Sequence, residues 1–138
     1  MSMKNKYRVL FIDDSKIDKS YIETMLDIEA LPIIAQFSPN ALHALEYLAD
    51  LGKDQFPQVL IIDINMPLMN GFEFVKAYEE KIYSSHPETL LFISSSTYRL
   101  SEIEKAKNLT IVTDFIGKPI QSQFFHDVVF PMVDKITV

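Results

Sequence analysis

Along the chain, short apolar runs alternate with stretches in which apolar residues recur at helical spacing. Tyr7 to Ile12 reads as a strand closed by Asp13-Asp14-Ser15; Ile17, Tyr21 and Met25, with Ile22 and Leu26, then follow a helical period. Ile33 to Phe37 is a second strand, entered just after Pro32. Ser38-Pro39 reads as a hydroxyl cap with proline in the first turn of a second helix, carried by Leu42, Leu45, Leu48 and Ala49 and ending near Gly52. Val59 to Ile62 is the most apolar run, and its lack of alternation predicts a central strand covered on both faces. Asn70-Gly71 is expected to form a turn with a residue at positive φ, ahead of a third helix marked by Val75, Tyr78 and Ile82. Leu90 to Ile93 is a fourth strand that runs into Ser94-Ser95-Ser96-Thr97. Leu100, Ile103 and Ala106 mark a weak, polar helix, and Phe115-Ile116 a short fifth strand before Gly117-Lys118-Pro119. Phe124, Phe125, Val128, Val129, Met132 and Val133 stripe the last helix, where Pro131 is expected to impose a kink or an early end.

Five strand–helix units in succession predict an α/β domain: a parallel sheet with right-handed crossovers and helices on both faces. The 138 residues suit one domain, and 48% hydrophobic against 23% charged residues argue against disorder. No apolar run approaches the length of a membrane span, and the apolar stretch in MSMKNKYRVLFIDD is too short for a secretory core, so a cytoplasmic protein is expected. The net charge is -6 with no cluster of Lys and Arg, which argues against nucleic acid and for a protein partner. With no cysteine, disulfides and thiolate chemistry are excluded.

In a parallel sheet the residues that close the strands gather at one edge, where such folds bind ligands. Here that edge receives Asp13 and Asp14 from the first strand, Asp63 from the third, Ser94 from the fourth and Lys118 after the fifth. Read singly, Asp13 and Asp14 are good helix caps, Asp63 is a turn residue before Met-Pro, and Lys118 is a solvated lysine. Together, three close carboxylates repel one another and call for a hard divalent cation. Oxygen donors suit Mg2+, and none of His43, His86 and His126 falls in these loops, which argues against zinc or copper. The three histidines read as structural or surface residues. Asp63 could serve as metal ligand, acid or base, or nucleophile; Lys118 and Ser94 beside it would suit a phosphoryl group, which favours a carboxylate nucleophile.

The motifs FIDD, LIIDINMP-x-x-NG, FISSS and GKP, in this order and each at its expected strand end, resemble the receiver domain of two-component response regulators over about residues 6 to 135. The resemblance implies a flavodoxin-like (βα)5 fold, doubly wound, with a five-stranded parallel sheet of order 2-1-3-4-5. It implies Asp63 as phosphoacceptor and a Mg2+ site formed by Asp13, Asp14, Asp63 and the backbone carbonyl of Asn65. Ser94 then matches the switch hydroxyl, with Ser95 the alternative; Lys118 matches the phosphate-binding lysine and Phe115 the aromatic switch residue. Asn65 and Ser96 fall where the lifetime of the phosphate is tuned. The implied partners are a histidine kinase or phosphotransfer protein and an unidentified target protein. A single receiver over residues 1–138, without output domain, is expected, acting as a monomer or weak dimer and not as an enzyme beyond its own phosphotransfer and dephosphorylation. Two rivals remain. A Mg2+-dependent phosphatase of the haloacid-dehalogenase type needs a second acid where this chain has Asn65. An interaction module that is never phosphorylated is expected to have lost an acid or the lysine, and neither is lost.

Overall fold

The computed structural model describes residues 6–97 and 99–136. Its five strands are β1 (Tyr7–Ile12), β2 (Ile33–Ser38), β3 (Val59–Asp63), β4 (Leu90–Ser95) and β5 (Asp114–Gly117). They form one parallel sheet in the order β2-β1-β3-β4-β5, as the resemblance implied. The helices are α1 (Lys16–Ile28), α2 (Ala41–Ala49), α3 (Gly71–Lys81), α4 (Leu100–Lys107) and a last helix, α5, over residues 122–136.

Burial follows position in the sheet. Every residue of β3 and β4 is buried, while edge strands β2 and β5 keep exposed residues. This is why β3 and β4 read as unbroken apolar runs. Alternation splits the core in two. Leu10, Ile12, Leu60, Ile62, Leu91 and Ile93 face α2, α3 and α4. Val9, Phe11, Val59, Ile61, Leu90 and Phe92 face α1 and α5.

Several local expectations are corrected. Ser38 does not cap α2: it is the last residue of β2, paired with Ile12, and Asn40 is the cap, its side chain accepting the His43 N–H at 2.8 Å. The Ser38 hydroxyl instead bridges the Asn40 carbonyl and His43 Nδ1. The buried face of α2 is therefore Ala41, Ala44 and Leu48, and Leu42 is exposed. In α4 only Ala106 is buried, and Leu100 is exposed.

Asn70-Gly71 holds no residue at positive φ. Asn70 is the cap of α3, and a reciprocal capping box joins its side chain to the Glu73 N–H and the Glu73 side chain to its own N–H, both at 2.9 Å. Asn70→Ala should remove about 1 kcal/mol of stability, read as a lowered midpoint in thermal denaturation. Pro131 does not end the last helix. Helical structure continues to Ile136 because Phe125–Val129 form a π turn just ahead of it. A proline lacks the N–H for an i→i−4 bond and crowds that carbonyl; a widened turn relieves both defects.

Candidate functional site

The sheet register brings the polar strand ends together. Ile12 pairs with Ile62, so Asp13 emerges level with Asp63, and Asp63 itself pairs with Ser94. Ser95 pairs with Gly117, and the Lys118 N–H donates to the Ser95 carbonyl at 2.9 Å, which fixes where the lysine leaves β5. One ligand oxygen from each of Asp13, Asp14 and Asp63 lies within 4.8 Å of the others. Lys118 Nζ donates to Asp13 Oδ2 at 2.6 Å and to Asp18 Oδ2 at 2.7 Å, and stands 3.5 Å from Asp63 Oδ2.

Asp18 is the residue that sequence reasoning missed. It lies in the first turn of α1, where its N–H donates to the cap hydroxyl of Ser15 at 3.1 Å. Serine followed three residues later by an acid is an ordinary helix-start spacing, so nothing local announces a contact with a lysine a hundred positions away. Asp13, for its part, accepts the Ser15 N–H at 2.9 Å.

The electrostatics follow from burial. Asp63 is 7% exposed, and desolvation pushes its carboxyl up to about 6; Lys118 pulls against this, and Asp13 adds to it. Asp13 is likewise raised by desolvation, despite its bond to Lys118. Asp18 is less enclosed; desolvation is still its largest single influence, but the hydrogen bond and charge of Lys118 with the bonds of Asp13 and Ser15 together outweigh it and hold the carboxyl below the usual range. Burial would lower Lys118, but its bonds to Asp13 and Asp18 prevail and hold it above the usual lysine range. The local excess of carboxylate over ammonium, and donors that are all hard oxygens, fit a divalent cation of the magnesium class.

A family model for the response regulator receiver domain matches residues 9–130. The chain belongs to this family. As a receiver domain of two-component signalling it has relatives among larger proteins. It is 34% identical over 120 residues to a protein-glutamate methylesterase/protein-glutamine glutaminase of Ralstonia nicotianae, covering 86% of this chain and 29% of that protein. The corresponding protein of Photorhabdus laumondii is 35% identical over 116 residues, covering 83% of this chain and 31% of its own length. The chain thus spans under a third of these curated relatives. Among solved structures, a two-component response regulator from Cytophaga hutchinsonii has a TM-score of 0.84 at 21% identity, covering 95% of this chain and 99% of that one. A response regulator receiver protein from Dyadobacter fermentans has a TM-score of 0.80 at 26% identity, covering 91% and 97%.

Within this receiver the two serines that sequence left open separate by face. Ser94 shares the face of Phe11 and Ile61 and lines with them a cavity of about 440 Å³ that also reaches Asp13, Asp14 and Lys118. Ser95 turns to the other face, where its hydroxyl accepts the Thr97 N–H at 3.1 Å. Phe115 is half-buried on the α2–α3–α4 side, paired with Ile93. It therefore lies on the face of Ser95, opposite Ser94. Asn65 is exposed, and its backbone N–H bonds the Asp63 carboxylate; Ser96 is exposed. Beyond Asn65, Leu68 is 89% exposed at φ 71, in a tight turn closed by the Met69 N–H on the Pro67 carbonyl at 2.8 Å. Such a φ is costly for a branched side chain. Among the described residues, no helix is long and apolar enough to cross a membrane.

Proposed function

We propose that this receiver domain takes a phosphoryl group from a phosphohistidine on a histidine kinase or phosphotransfer protein onto Asp63, and that the added charge alters its affinity for a target protein. One observation carries this reading: three carboxylates converge at the carboxyl edge of the sheet with a lysine ammonium 3.5 Å from one of them. An Asp63 oxygen attacks phosphorus in line, the P–N bond breaks, and the imidazole leaves with the bonding pair. Asp13, Asp14, Asp63 and the Asn65 carbonyl would hold Mg2+. When bound, that ion neutralises the charge gathering on the phosphoryl oxygens.

The chain's own residues do the rest. Asp63 sits in a largely dry setting, where fixed donors act strongly. Lys118 and the Ser94 hydroxyl bond the oxygens of the new aspartyl phosphate and draw in the loops after β3 and β4. Because Phe115 and Ser94 lie on opposite faces of the sheet, Phe115 responds to displacement of the end of β4. The α4–β5–α5 surface then changes its partner affinity, a local charge event read out by a two-state packing element. Asn65 and Ser96, both exposed just after β3 and β4, govern water access and so the lifetime of the phosphate. Exposed Ile17, which lines the same cavity as Asp13 and Asp14, suits a protein donor. The protein acts in the cytoplasm.

Acetyl phosphate supplies the test. Intact mass should rise by one phosphoryl group only with Mg2+ present; repeated turnover of p-nitrophenyl phosphate would support the phosphatase alternative instead. Lys118→Ala should still take up some phosphate yet lose the phosphate-dependent gain in target binding, compared by pull-down with and without beryllofluoride. An undiminished gain in that variant contradicts the role given to Lys118.

A further inference from the structure

We propose that Asp18 is a built-in competitor for Lys118, one that holds the ammonium away from Asp63 in the resting protein and raises the threshold for the phosphorylated state. This rests on the phosphoacceptor reading and adds to it a residue that sets the balance of the site.

The distances carry the inference. Lys118 Nζ makes short bonds to Asp18 at 2.7 Å and Asp13 at 2.6 Å, and a much looser ion pair with Asp63 at 3.5 Å. Asp13 is also one of the three clustered carboxylates that suit a cation, so occupation of that cluster weakens its claim on the lysine. Asp18 is outside the cluster and keeps a bond of its own to Lys118. The lysine side chain is only 12% exposed, so solvent cannot readily take the place of a lost partner.

A phosphoryl group on Asp63 carries up to two negative charges and needs Nζ at hydrogen-bonding distance. It must either draw the ammonium from Asp18 or share it. In both cases the Asp18 carboxylate stands beside the incoming charge and opposes it. The Asp18 side chain is 40% exposed, so water screens part of this effect and keeps it moderate.

A purely structural role for Asp18 is the alternative, since an acid in the first turn complements the helix dipole and props Lys118. The two roles predict opposite signs. Calorimetric titration of the full chain with beryllofluoride and Mg2+ should show Asp18→Asn binding roughly three- to tenfold tighter than wild type. Affinity for Mg2+ alone should not rise, and Asp18→Glu should return beryllofluoride binding toward wild type. In metal-free protein, Asp18→Asn and Lys118→Gln should lower the melting midpoint non-additively, which reads the contact without any ligand. Asp18→Ser serves if the asparagine variant folds poorly. Equal or weaker beryllofluoride binding by the Asp18 variants, or additive melting losses, overturns the inference. If wild type binds no beryllofluoride, the phosphoacceptor reading falls and this one with it; binding by wild type without gain in the variants removes only the competitor.

Discussion

Asp63→Asn is expected to abolish phosphate uptake and, at neutral pH without metal, to make the protein more stable. The first effect follows from chemistry, because an amide is no nucleophile toward phosphohistidine or acetyl phosphate. The second follows from linkage. The folded-state carboxyl of Asp63 is pushed from 3.8 to about 6 by desolvation, even with Lys118 nearby. Folding therefore favours its protonated form. That contribution is fully present below pH 3.8 and is lost as pH rises toward about 6. At pH 7 the ionised group opposes folding by on the order of 1–3 kcal/mol. Asparagine removes that opposition along with the attraction to Lys118, and the net upward shift says that the opposition is the larger of the two. The measurement is a melting curve at several pH values in chelator. Wild type should lose stability between pH 4 and 6 relative to the variant, and the order should narrow or reverse when Mg2+ is added. A variant less stable than wild type at pH 7 in chelator would mean that Lys118 attracts Asp63 more strongly than burial penalises it.

The same residues show what a sequence can and cannot disclose. β3 and β4 are buried on both faces and read as apolar runs because nothing on them is exposed. Their ends are legible for the same reason: a carboxylate or hydroxyl that stops such a run lies at the sheet's rim, so Asp13, Asp14, Asp63, Ser94 and Lys118 could be gathered from the strand order alone. Asp18 could not. It lies on a helix, at a spacing that serves capping, and its partner arrives from β5. Helix faces were less legible than strands where alanine does the packing. Ala41, Ala44 and Ala106 are buried while Leu42 and Leu100 are exposed, so leucines alone do not mark the inner face of these helices. Ser94 and Ser95 are chemically alike and separate only by the pleat, which sends them to opposite faces. The π turn at Phe125–Val129 answers a visible proline, but a widened turn, a kink and a helix end all satisfy the same missing N–H.

Gly71→Ala should cost far more than an alanine at a helix start usually does, about 2–3 kcal/mol or more, and should slow phosphorylation as well. A β-carbon built at Gly71 would lie 2.8 Å from the carbonyl oxygen of Asp63 and 3.0 Å from the Cα of Ile64. Both are backbone atoms, and the Gly71 N–H is bonded to the Ile64 carbonyl at 2.9 Å, so α3 is laced directly onto the end of β3. No side chain can swing aside to admit the methyl group. Its φ is not positive, so the requirement is for space and not for a left-handed backbone. Alanine brings a compensating gain of about 0.4–1 kcal/mol from a less flexible unfolded chain, too little to offset a backbone clash. Gly52 supplies the control: its added β-carbon meets nothing within 4 Å, so Gly52→Ala carries the same unfolded-state gain without the clash. The melting midpoint should fall by roughly 6–12 °C in the first variant and hold or rise in the second. The rate of acetyl phosphate labelling should fall only in the first, because the atom that must move is the backbone carbonyl of Asp63 itself. Equal behaviour of the two variants would show that the junction of α3 with β3 yields more easily than these distances allow.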